Sequence, residues 1–208
     1  MRALALLLLL SGAVGPAAAR SSLPASSGEC SHEGGVSVCL YRSLLPSVGI
    51  VAACRDADCR VGHYYGKPAD AEWLAPPPGL ATLPRPEVIW YTSTLAQIRF
   101  DTPPHGSWSY FFEATRRRLS APRADVLGID PRRLLAAQAE ERAIVVRQIF
   151  AGREVARIER DWAPAQSIGD VITDLRFDPD GRLSFTWLRG AARAPVSERL
   201  SVPSVPRS

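Results

Sequence analysis

Short apolar runs alternating with turn clusters leave this chain few folds other than antiparallel β-structure. The clearest case is residues 171–188, where Asp178-Pro179-Asp180-Gly181 separates two runs. Leu175 and Phe177 alternate before the turn, and Leu183, Phe185 and Trp187 alternate after it. Asp174, Arg176, Arg182, Ser184 and Thr186 fill the intervening positions. Proline presets φ, and glycine accepts the left-handed conformation that closes the turn. The pattern predicts a hairpin with one apolar and one solvated face.

The same reading predicts strands at 36–42, 48–54, 87–101, 107–115, 143–150 and 154–160, each bounded by turn residues. Asp130-Pro131 reads as a helix start, because Asp caps free N–H groups and Pro suits the first helical position. Strong helix formers follow, from Leu134 to Glu141. The expected fold is therefore mainly β, an antiparallel sandwich or partly open barrel with one short helix near 131–142; that helix leaves an α+β arrangement open. The prolines of 73–86 rule out a helix or a central strand there, so this stretch is either an internal boundary or an ordered crossing over the surface. Residues 191–208 read as a tail with one edge strand. No internal repeat of solenoid or propeller length is evident.

Residues 1–19 have the build of a secretory signal peptide. Arg2 supplies a positive start, Leu4 through Leu10 an apolar core, and Ala17-Ala18-Ala19 a small-residue cleavage site. The apolar run is shorter than the roughly 20 residues a membrane-spanning helix needs. The expectation is an exported protein, periplasmic or secreted, without a transmembrane segment after cleavage. A mobile leader would occupy 20–29 and a single stapled domain 30–190.

That compartment decides how the cysteines are read. Cys30, Cys39, Cys54 and Cys59 are the four cysteines of the chain, and an even count in an exported chain implies disulfides. A hairpin centred on Leu45-Pro46-Ser47 would set Cys39 opposite Cys54 and leave Cys30 with Cys59; the rival pairs Cys30 with Cys39 and Cys54 with Cys59. Cys54, Cys59 and His63 also have a loose zinc-ligand spacing, but oxidation removes thiolates, so no metal and no cofactor are expected. Asp56 with Asp58, and Asp178 with Asp180, lack the further ligands of a calcium loop and read as turn residues.

Lys67 is the only lysine among 25 basic residues, and the formal net charge is +4. No basic stripe is dense enough for a nucleic-acid interface. The densest run is Arg116-Arg117-Arg118, close to Trp108, Tyr110, Phe111 and Phe112. Guanidinium groups beside aromatics suit an anionic glycan or lipid surface. Arg116, Arg117, Arg118 and Trp108 are the candidate binding residues. For catalysis, neither G-x-S-x-G nor H-E-x-x-H occurs, and the candidates reduce to His105 as general base with Asp101 nearby. The sequence thus favours a non-catalytic binding protein whose partner is an envelope protein or an anionic surface component. The alternative is a small extracytoplasmic hydrolase centred on His105.

Overall fold

The computed structural model describes residues 26–45, 47–102, 106–165 and 167–204. The signal-peptide expectation at 1–19 and the general-base candidate His105 lie outside the described residues. The described residues form four antiparallel sheets in succession, matching a β-sandwich architecture with no closed barrel among them. The first contains β1 (Glu29–Glu33), β2 (Val36–Arg42), β3 (Val48–Arg55), β4 (Asp58–Tyr65) and β5 (Glu72–Trp73). The second contains β6 (Glu87–Trp90), β7 (Leu95–Asp101), β8 (Ser107–Glu113), β9 (Arg118–Leu119) and β10 (Arg123–Ala124). The third is the meander β11 (Val126–Asp130), β12 (Leu135–Glu140), β13 (Ala143–Gln148) and β14 (Glu154–Glu159). The fourth is β15 (Ile172–Phe177), β16 (Arg182–Arg189) and β17 (Ala194–Ser201).

Side-chain alternation decides how these sheets stack. In β8, Tyr110 and Phe112 face the first sheet and, together with Ile98 and Phe100 of β7, pack with Ile50 and Val61. Phe111 faces the other way and meets Ala136 and Ile149 of the third sheet. In β12, Leu135 and Ala137 point away from that seam and join Ile144, Val146, Leu183, Phe185 and Trp187 in a core between the third and fourth sheets. The molecule is thus two well-filled sandwiches joined through a thinner seam. The seam is also more polar. Tyr91 Oη donates to Gln97 Oε1 at 2.8 Å, and Gln97 Nε2 donates to Ser109 Oγ at 2.8 Å. Gln97, Ser109 and Gln138 are all buried there. Burial of Tyr91, with Glu87 nearby, raises its phenol above the ordinary range, so it stays a proton donor.

The expected hairpin at 171–188 forms, with Leu175, Leu183, Phe185 and Trp187 buried. The stretch 191–208 is more ordered than a tail at its centre, because β17 pairs with β16 along its whole length. The stretch 87–101 is a hairpin rather than one strand, turning at Tyr91–Thr94 where Thr92 Oγ1 accepts from the backbone N–H groups of Thr94 and Leu95. The proline-rich crossing at 73–86 is ordered: Leu83 bridges Cys59, and Ala75 O accepts from Tyr110 Oη at 2.5 Å.

The helix expected near 131–142 is absent. Asp130 does cap, but it caps a turn: its Oδ1 accepts from Arg132 N at 2.9 Å and Arg133 N at 3.0 Å. Leu134 then takes φ 56° and sends the chain back. Leu135–Glu140 becomes β12, hydrogen-bonded to β11 on one side and β13 on the other. Helix propensity is worth only tenths of a kcal/mol per residue and yields to tertiary pairing. The alanines suit this strand because sheets pack closely on both of its faces.

Both disulfides form, as Cys30–Cys39 and Cys54–Cys59. The β2–β3 register sets Cys39 against Ala52 and Cys54 against Ser37, which makes those two cysteines diagonal neighbours on one face. Each cysteine instead finds a partner directly opposite, Cys39 across β1 and Cys54 across β4, with Cα separations of 4.0 Å. Of the pairings weighed from the sequence, the rival is the one present.

The fourth sheet tests the stacking energetically. The Trp187 ring meets Trp162 at 5.0 Å, edge to face, and its Nε1 donates to Glu198 Oε1 at 3.0 Å. Trp187→Ala is expected to lower the unfolding free energy by about 3–5 kcal/mol, read as a reduced urea midpoint.

Candidate functional site

Strand parity and four turns build one cleft at the edge of the seam. Glu113 closes β8 on the face turned toward the third sheet, and β9 returns beside it with Arg118 directly opposite. The intervening turn gives Arg117 a φ of 49°. The turn at 92–94, the 131–134 turn and the end of β13 complete the walls. The cavity measures about 410 Å³ and is lined by Thr92, Thr94, Glu113, Arg116, Arg118, Arg132, Arg133, Leu134, Gln148 and Phe150, among others.

The four arginines differ in how far they are committed. Arg133 belongs to the scaffold. Its Nε donates to Asp130 Oδ2 at 2.5 Å, its Nη1 to Val202 O at 3.2 Å, and its Nη2 to Gly181 O, so it ties the 131–134 turn to the fourth sheet. Arg118 is held but unsatisfied. Its guanidinium lies over the Phe150 ring at 4.3 Å, and Nη2 stands 3.5 Å from Glu113 Oε2. Neither Nε nor Nη2 of Arg118, nor Oε2 of Glu113, completes a hydrogen bond. Glu113 is only 6 % exposed, and it flanks Arg118 within the cavity wall. The side chains of Arg116 and Arg132 are solvent-exposed and form no ion pair among the described residues. Three guanidiniums against one carboxylate leave the cleft positive. It lies between sheet edges, where the field of the charges is less screened than on a convex surface.

The candidates from the sequence are only partly brought together. Arg116 and Arg118 line the cleft. Arg117 turns the opposite way and sits over the Tyr65 ring at 4.8 Å, on the side of the first sheet. Trp108 also falls outside, because its even position in β8 places it with Tyr110 and Phe112, and it pairs with Phe100 and Ala124 at the far end of the strand. Arg132 was not a candidate, since a helical reading of 131–142 hides the turn that presents it. Only the adjacency of Arg132 and Arg133 to a capping Asp could have signalled it. Asp101 is exposed and engaged by Arg99 Nη2 at 2.8 Å. His105, its proposed partner in catalysis, lies outside the described residues.

The weaker ligand-binding patterns resolve into structure. Arg199 bridges the hairpin aspartates, with Nε 2.7 Å from Asp178 Oδ2 and Nη2 2.8 Å from Asp180 Oδ2. A hydrogen bond from Ser184 Oγ, and after it the one from Arg199 Nε, holds the Asp178 carboxyl below its usual range. Asp58 accepts from Thr82 Oγ1 at 2.8 Å. No cluster of potential metal ligands occurs among the described residues. His63 is a core residue, stacked on Phe112 at 4.8 Å with Nδ1 lacking a partner.

No family model, curated protein or solved structure matches this chain.

Burial lowers the His63 pKa below its ordinary value, and Glu72, with Oε2 3.9 Å from Nε2, opposes this only in part. The unfolded chain therefore binds a proton at His63 near pH 6.5, where the folded chain still resists it. Stability is expected to be full above that pH. It falls as pH drops below about 6.5 and stops falling on this account once the folded-state value is passed. Urea midpoints measured between pH 7.5 and 5 should decline for the native protein and decline less for His63→Phe, which keeps the stack on Phe112.

Proposed function

We propose that this is an exported binding protein that takes an anionic envelope or surface component in the cleft between its second and third sheets. The observation that carries the reading is the convergence of Arg116, Arg118 and Arg132 on one cavity with Arg118 fixed in advance. Phe150 holds the face of that guanidinium and Glu113 one edge. A guanidinium ordered before the ligand arrives loses less entropy on binding. Paired cross-strand disulfides suit an oxidising compartment. No helix among the described residues is long and apolar enough to cross a membrane. The apolar start at 1–19 supports export.

The binding energy is largely Coulombic, so it should weaken steeply as salt rises and the screening length shrinks below about 8 Å. The test is retention of a fluorescent sulfated glycan, heparin, at increasing sodium chloride. Native protein is expected to bind at low salt and release progressively. The triple variant Arg116→Gln, Arg118→Gln, Arg132→Gln should lose binding at least tenfold with an unchanged fold by circular dichroism. Arg117→Gln should bind as the native protein does, because its side chain lies against Tyr65. Equal loss in both variants would assign the effect to net charge and sink the cleft as the site.

A further inference from the structure

We infer that the cleft is built for a phosphate monoester, a small organic molecule whose phosphate is gripped from both sandwiches at once. The inference rests on the anion-binding reading above and narrows its ligand. Charge comes first. Arg133 is neutralised by Asp130, which leaves Arg116, Arg118 and Arg132 facing Glu113, or two uncompensated positive charges. A phosphate monoester carries about −1.5 to −2 at neutral pH, whereas a carboxylate or a sulfate ester carries only one negative charge.

Geometry points the same way. A carboxylate offers two coplanar oxygens, whereas a phosphate monoester offers three arranged as a pyramid. Here the guanidiniums arrive from separate turns, Arg116 and Arg118 flanking the β8–β9 turn and Arg132 on the β11–β12 turn. A tetrahedral group with three terminal oxygens can receive all of them. The hydroxyl-bearing turn at Thr92 and Thr94 lines the same cavity.

Size leaves room for an organic portion. The cavity of about 410 Å³ is within the roughly 300–1,000 Å³ range of small-molecule sites and is much larger than inorganic phosphate alone. Leu134, Phe150 and Ala151 give part of its wall an apolar character. The three arginines also belong to different halves of the molecule, joined by the thin seam of Phe111, Ala136 and Ile149. A bound phosphate would therefore cross-link the two sandwiches.

The experiment is isothermal titration of the purified protein with glucose 6-phosphate, inorganic phosphate, glucuronate and glucose at low salt, with thermal melts in parallel. Glucose 6-phosphate is expected to bind at least tenfold more tightly than inorganic phosphate or glucuronate, glucose not at all, and the melting temperature should rise with the phosphate ester. Affinity should fall as pH drops below the second phosphate pKa, about 6. Arg118→Gln and Arg132→Gln should each weaken binding at least tenfold, although they lie in different sandwiches. The inference is overturned if inorganic phosphate or glucuronate matches the ester, or if Arg132→Gln binds as the native protein. If heparin binds through the cleft arginines but the ester does not compete, the phosphate reading falls and the anion-binding function stands. If neither heparin nor any phosphate binds, both fall.

Discussion

The Asp130 carboxylate is the contact on which the candidate site depends. It is 6 % exposed, and it accepts two backbone N–H groups and the Nε of Arg133. One oxygen shapes the turn, and the other fixes the guanidinium that reaches Val202 and Gly181 at the margin of the fourth sheet. A buried carboxylate satisfied on both oxygens is stable, whereas one left unpaired is costly. The turn that presents Arg132 to the cleft is thus anchored to the core it leaves. Arg132 and Arg133 are neighbours in sequence with opposite duties, one structural and one free.

The seam between the second and third sheets explains why a cleft exists at this place. The outer two interfaces are filled by aliphatic and aromatic side chains. The seam has few fully buried apolar residues and relies on the Tyr91–Gln97–Ser109 chain and on Gln138, whose Nε2 donates to Ala124 O at 3.0 Å. Polar interiors pack to defined geometry but gain less from burial than apolar ones. Where the strands end, Leu134 and Phe150 cover the seam only in part, and turn residues flank an open space.

Arginine abundance by itself is uninformative here, since most guanidiniums are engaged locally. Arg147 binds Glu140 at 2.9 Å, Arg160 binds Glu198 at 2.7 Å, and Arg199 spans Asp178 and Asp180. Such part-exposed pairs contribute little to stability, but they cancel charge over the third and fourth sheets. Arg116 and Arg132 have no such neighbours among the described residues, and Arg118 has only the offset carboxylate of Glu113. The cleft therefore keeps a positive charge of the kind that pairing cancels over much of the third and fourth sheets.

Strand-forming runs, turn residues and the inward face of the 171–188 hairpin were legible from residue order, because a period of two and a Pro-Asp-Gly turn are local properties. So was the formation of disulfides, from cysteine count and the apolar start. Local information also pointed to Arg116 and Arg118. It failed at Leu135–Glu140, whose alanines favour a helix in isolation; only pairing with β11 and β13 on either side makes a strand the lower state. It failed at the disulfide partners, because a shift of register across one hairpin changes which cysteine lies opposite which. Arg132 lines the candidate cleft, and Trp108 and Arg117 do not, for the same reason. Side-chain direction depends on strand parity and turn handedness, and the distance between residues 116 and 132 is set by how two sheets stack, which no local stretch of sequence encodes.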